Sequence, residues 1–219
     1  MAFNPSDEYE IPPKIQRIID TTPGFMPKEE GRYLHQLSLT SPLSPTSKAI
    51  EIGTYCGKST LYLALAAMKR DSHVVTIDHH QGSEENYPPF PYFDNRLYDP
   101  QSNKLDTLPI FREALRLSKL SDYVITVISD SSAFSRLYQN QSAAFLFIDG
   151  GHSALQAWKD YINWADKVQI GGVLAIHDVF EDPSLGGRPP YEIAVALSHL
   201  ESFTALGQVG SLAAFRRIS

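Results

Sequence analysis

Only one cysteine, Cys56, occurs among the 219 residues, so an internal disulfide framework and any multi-cysteine zinc site are excluded. Stability has to come from packing. No continuous apolar run approaches the ~18 residues that a membrane-spanning helix needs. Met1–Asp20 carries acidic residues where a secretory signal would be basic, so a cytoplasmic location is expected. Positive charge is also in short supply: 19 Lys and Arg against 25 Asp and Glu leave a formal charge of −6. That balance repels nucleic acid at long range, and neither nucleic acid nor membrane is an expected partner. There is no internal repeat and no long low-complexity tract. With 42% hydrophobic and 20% charged residues the composition fits one packed globular core, not a disordered or fibrous chain.

What is present is alternation. Residues 1–47 read as two helices, Ile11–Asp20 and Pro27–Leu39, followed by the linker Ser41–Ser47, and are expected to cap the core or a substrate mouth. From Lys48 onward strands and helices alternate. The strands are Lys48–Ile52, Val74–Asp78, Tyr123–Ile128, Ala144–Asp149 and Gly172–His177, with two short terminal strands, Phe203–Gln208 and Leu212–Arg217. Helices are expected at Ser59–Lys69, Thr107–Leu117, Ala133–Tyr138, Ala154–Ala165 and Tyr191–Glu201. Continuous apolar runs such as Phe145–Ile148 indicate strands covered on both faces. The pattern predicts an α/β three-layer sandwich with a mostly parallel seven-stranded sheet and an antiparallel terminal strand, spanning 48–219. In Ala154–Ala165 the helical spacing of Leu155, Trp158, Ile162 and Ala165 predicts the packing stripe, with Lys159, Asp160 and Asn163 elsewhere. Two insertions, 79–106 and 180–190, follow strand carboxyl ends and are read as walls or lids of a ligand pocket.

The run Glu51-Ile52-Gly53-Thr54-Tyr55-Cys56-Gly57 closes the first strand and opens a helix. Two glycines let such a turn approach a ligand and expose helix-start amides. It is not a phosphate-binding P-loop: three residues separate the glycines before Lys58-Ser59, where four are needed. The dinucleotide Gly-x-Gly-x-x-Gly fingerprint fails as well, because the second glycine comes only at position 57. A ligand-free tight turn is the plain alternative.

This stretch resembles the acidic-x-Gly-x-x-x-Gly motif of class I S-adenosylmethionine (SAM)-dependent methyltransferases, a Rossmann-like fold. Asp78 ends the second strand, Asp130 follows the third and Asp149 ends the fourth, in the order that family uses. The resemblance makes Glu51, Gly53, Tyr55 and Gly57 the cofactor turn, assigns Asp78 to the ribose hydroxyls, and assigns Asp130 with the backbone near Ser131 to adenine. It adds Asp149 at the methyl-bearing end. Helix capping is the competing role for Asp130 in Ser129–Ser132. His79, in the polar run Asp78–Glu85, is expected to shape the adenosine or acceptor pocket, against a solvated loop as the alternative.

Phe147–His152 and Gly171–Asp178 are similar to the small-molecule O-methyltransferases, including those acting on macrolide sugars, in which acids after the fourth and fifth strands hold a divalent cation. That resemblance covers about Lys48–Val179. It implies Asp149, His177 and Asp178 as ligands of Mg²⁺ or Mn²⁺, the ion acting as Lewis acid and template, and His152, beside Asp149, as general base. His177 stands where metal-dependent relatives often carry another acid, which shifts the preference toward borderline ions. Metal-free catalysis by His152 or His177, oriented by Asp149 or Asp178, is the other option. The expected activity is methyl transfer from SAM to a small-molecule acceptor, with a hydroxyl oxygen as the accepting atom by the subgroup's chemistry and a non-catalytic SAM-binding regulatory module as rival. A homodimer is the default oligomer.

Overall fold

The computed structural model describes residues 9–89, 92–151, 153–185 and 188–219. Its centre is a seven-stranded sheet built from β1 (Lys48–Ile52), β2 (Val74–Asp78), β5 (Val124–Ile128), β6 (Ala143–Ile148), β7 (Val168–Ile176), β8 (Phe203–Val209) and β9 (Leu212–Arg217). The order across the sheet is β5-β2-β1-β6-β7-β9-β8. The β1–β2, β1–β6, β2–β5 and β6–β7 pairs are parallel, whereas β9 runs antiparallel to both β7 and β8. A short hairpin, β3 (Tyr98–Asp99) with β4 (Lys104–Leu105), stands apart in the first insertion. The expected architecture is therefore present.

Side chains alternate across the strands as the pleat requires. Ala49, Phe145, Phe147, Val173 and Ala175 face one core, with α1 (Pro13–Thr21), α2 (Lys28–Thr40), α3 (Lys58–Lys69) and α4 (Leu108–Ser118) over it. Ile50, Ile52, Leu146, Ile148, Leu174 and Ile176 face the other, beneath α5 (Ser131–Ser135), α6 (Ala154–Trp164) and α7 (Pro189–Ser198). The helices α1 and α2 share the first core with the sheet: Ile15, Ile19, Leu34 and Leu37 are buried there beside Leu61 and Leu65 of α3. Among the described residues no helix is long and apolar enough to cross a membrane.

Two local expectations are corrected. β7 begins at Val168, four residues before the expected start at Gly172. More substantially, α6 buries a different face. Leu155 is 81% and Ile162 67% exposed, while Ala157, Asp160 and Trp164 are buried. The period is helical as expected, but its phase is set by partners elsewhere in the chain: Trp164 stacks on Phe134 and packs against Tyr138, and Asp160 accepts a hydrogen bond from Ser131 Oγ.

The first insertion folds back on the glycine turn. Leu97 and Leu105 enclose Cys56, with Tyr55, Tyr87, Phe93 and Tyr98 around them. Burial pushes the Cys56 thiol up to about 12, helped by Asp94 and Asp78, so it is an inert packing residue and not a nucleophile.

Candidate active site

Parallel strands end at one edge, and there the turn after β1 meets the ends of β2, β6 and β7. Gly53 adopts φ 88°, and a Cβ at that position would collide with the Asp149 carbonyl. The close approach of the β1 and β6 ends therefore needs glycine. Asp149 reinforces the junction by donating its amide to the Ile52 carbonyl at 2.9 Å.

Glu51 lies beneath this turn, wholly buried. Its carboxyl accepts from Ser59 Oγ at 2.7 Å and from Thr60 Oγ1 and Thr76 Oγ1 at 2.6 Å each. Burial pushes it up to about 7 against the pull of these three hydroxyls. Glu51, expected at a cofactor, thus clamps the start of α3 and β2 from below, while Gly53 and Tyr55 lie on the turn itself.

Asp78, at the end of β2, accepts the amides of Thr54 and Tyr55 on Oδ2, both at 2.8 Å, and the amide of His80 on Oδ1 at 2.7 Å. A carboxylate has about four lone-pair sites, so roughly one stays open for a hydroxyl. The two following histidines diverge. His79 is half exposed, 3.9 Å from Asp78 Oδ1. His80 is buried, bonded through Nδ1 to Thr107 Oγ1 at 2.8 Å and stacked on Phe111, and burial lowers its basicity.

Asp130 caps α5 by accepting the Ala133 amide at 3.0 Å and lies 3.4 Å from Lys159. Ser131 turns inward to Asp160, whose carboxyl burial pushes up despite hydrogen bonds from Ser131 and Gln156. Asp160 lines a cavity of about 10 Å³ with Asp149, Gly150, Gly151 and His177, room for about one water.

The densest cluster forms where β6 and β7 end. His177, 3% exposed, places Nδ1 3.1 Å from Asp149 Oδ1 and 3.3 Å from Asp178 Oδ2. Consecutive strand residues point to opposite faces. Asp178 escapes that rule by taking φ 56°, the left-handed region that Asp tolerates better than most residues, so His177 and Asp178 converge. The ligand atoms of Asp149, His177 and Asp178 all lie within 4.8 Å of one another.

A third acid, absent from the sequence reading, completes the cluster. Glu30 of α2 reaches His177 Nε2 with Oε2 at 2.6 Å, and its Oε1 accepts the Ser211 amide at 2.7 Å. Burial disfavours the imidazolium, but Asp149, Asp178 and Glu30 together hold His177 well above the usual histidine range. Burial likewise works against the Glu30 carboxylate, yet His177 and Ser211 lower its pKa. Three carboxylates around one imidazolium leave this corner net negative, suited to a divalent cation or a cationic ligand. No sequence signal links Glu30 to His177, 147 positions away; in α2 it reads as an acid favouring the helix start. His152 lies outside the described residues.

A family model described as a methyltransferase domain matches residues 50–179. Among solved structures, a protein from Corynebacterium glutamicum is 15% identical, with a TM-score of 0.67 over 96% of this chain and 92% of that one. The O-methyltransferase TomG from Streptomyces achromogenes, involved in tomaymycin synthesis and solved with SAM, is 14% identical, with a TM-score of 0.60 over 100% and 92%. An O-methyltransferase from Bacillus cereus in complex with SAH is 19% identical, with a TM-score of 0.61 over 95% and 92%. These likenesses establish the fold.

Proposed function

The chain belongs to the methyltransferase-domain family, and from that membership we propose that it binds SAM and methylates a hydroxyl oxygen of a small-molecule acceptor. The observation that carries this reading is the row of acids beside the glycine turn: Asp78, Asp149 and Asp178 at the ends of β2, β6 and β7. TomG and the Bacillus cereus enzyme, bound to SAM and to SAH, support the cofactor.

Bound at this edge, SAM supplies a methyl group on a positively charged sulfur. Asp78 has an acceptor site left for a ribose hydroxyl, and the backbone of Gly53–Gly57 lines the turn beside it, with His79 at the rim. Asp130 and Ser131 flank the adenine end. The reaction is a direct displacement, so the protein's work is to orient the acceptor oxygen and remove its proton. His152 takes that proton, and Asp149 orients the reacting group.

The donor set fits a divalent cation. Separations of 3.1 and 3.3 Å between Nδ1 and the two carboxylate oxygens suit neighbouring ligands of one ion, and two carboxylates with an imidazole suit Mn²⁺ and related ions. Asp149, His177 and Asp178 would hold it, and it would supply Lewis-acid polarisation of an acceptor oxygen. Of the N-terminal segment 1–47, the described residues 9–47 serve as the helical cap of this unit, and a cytoplasmic homodimer is the default assembly.

The test is calorimetric titration with SAM and SAH, followed by a screen of phenols, catechols and sugar-like hydroxyl compounds read by a mass gain of one methyl. Micromolar binding, roughly 8 kcal/mol, is expected. Binding of ATP or NAD in place of SAM would overturn the cofactor, and methylation only of nitrogen acceptors would overturn the oxygen assignment. Full activity after exhaustive chelation would remove the metal.

A further inference from the structure

We propose that Glu30 is a positioning residue for the cation site, fixing the His177 ring with Nδ1 toward Asp149 and Asp178, so that the site prefers a first-row transition-metal ion such as Mn²⁺ over Mg²⁺. This inference rests on the metal reading above.

Glu30 is 5% exposed, although an unpaired buried carboxylate is costly. Its surroundings are built to keep it. Ser211 donates its amide to Oε1 at 2.7 Å and directs its hydroxyl to both oxygens. Gly210, at φ 56°, leaves the space that Glu30 fills, because a Cβ there would overlap Oε1. The β8–β9 turn is thus shaped around this side chain.

The remaining oxygen meets His177 Nε2 at 2.6 Å. A carboxylate only accepts, so without a metal both ring nitrogens carry hydrogens; an ion between Asp149 and Asp178 would replace the one on Nδ1, while Glu30 keeps the one on Nε2. Histidines that bind metals through one nitrogen commonly donate the other N–H to such a carboxylate, which fixes the tautomer and strengthens the ligand. Imidazole ligation in turn favours Mn²⁺ and later ions over Mg²⁺, which prefers oxygen. The selectivity is therefore set from α2, an element that contributes no ligand.

The substitution Glu30→Gln keeps the size of the side chain. With its amide oxygen still taken by Ser211, its NH₂ would face Nε2 and drive the ring hydrogen to Nδ1. We expect Mn²⁺ affinity to fall about 10–100-fold, Mg²⁺ affinity to fall less, and the visible spectrum of bound Co²⁺ to change. Glu30→Asp, which keeps the charge but shortens the reach, should give an intermediate loss. In a His177→Asn background, Glu30→Gln should have no further effect, since its action runs through the ring. The readouts are calorimetric titrations of the apo proteins with each metal alone. A wild type that binds neither Mn²⁺ nor Mg²⁺ overturns the metal reading and this inference together. Metal binding by the wild type with unchanged affinity and Mn²⁺/Mg²⁺ ratio in both Glu30 variants overturns the role of Glu30 alone. So does a loss that persists in full without His177.

Discussion

The amide of Tyr55 donates to Asp78 Oδ2 at 2.8 Å, so the acid ending β2 holds the turn that follows β1. The same carboxylate accepts the Thr54 amide at 2.8 Å, which makes Asp78 a structural tie as well as the proposed ribose contact. Asp78→Ala should weaken SAM by about 1.5–3 kcal/mol, the scale of hydrogen bonds to a charged group. Asp78→Asn, retaining one acceptor oxygen for the turn, should lose less. Calorimetry with SAH separates them, and equal affinities for all three proteins would take Asp78 out of the site.

Glu51 predicts how stability depends on pH. Its folded pKa, about 7, lies above its ordinary value of 4.5, so burial of the neutral acid contributes fully below pH 4.5 and is lost as pH rises toward 7. The loss is on the order of 3 kcal/mol for a shift of this size. Glu51→Gln removes the titration while leaving hydroxyls that can rotate to accept from its NH₂. Denaturant unfolding at pH 5 and pH 8 should show a smaller difference for the variant. Parallel pH profiles would mean that Glu51 does not titrate in this window.

His152→Ala should retain SAM binding yet reduce turnover by about 10²–10⁴, the range for a positioned general base. Pre-steady-state methyl transfer across neutral pH is the appropriate measurement. A variant as fast as wild type would assign proton removal to another group, with Asp149 the first to examine.

The observed face of α6 gives a contrast in stability. Trp164 is fully buried, so Trp164→Ala should cost about 3–5 kcal/mol. Leu155→Ala and Ile162→Ala, on the exposed side, should each stay within about 0.5 kcal/mol of wild type. Thermal unfolding of the three variants distinguishes this face from the Leu155–Ile162 stripe, for which the order of effects would reverse.

Strand runs, the glycine turn and the acids at strand ends are legible in the linear chain because each is a local signal. Lys48–Ile52, Val74–Asp78 and Leu212–Arg217 appear with their expected bounds, since a short apolar run between turn residues leaves few alternatives. Asp149, His177 and Asp178 could be brought together on paper because parallel strands end at a common edge. Phase and partnership are another matter. Helical spacing in α6 fits either Leu155–Ile162 or Ala157–Trp164, and contacts with Phe134, Tyr138 and Ser131 select the second. Glu30 meets His177 only after α2 has packed on α3 and the β8–β9 turn has opened a place for it. Asp78 likewise spends three hydrogen bonds on amides that its own strand does not disclose. Local periodicity is a property of neighbouring residues, whereas a buried charge takes the partner that long-range packing brings within about 3 Å.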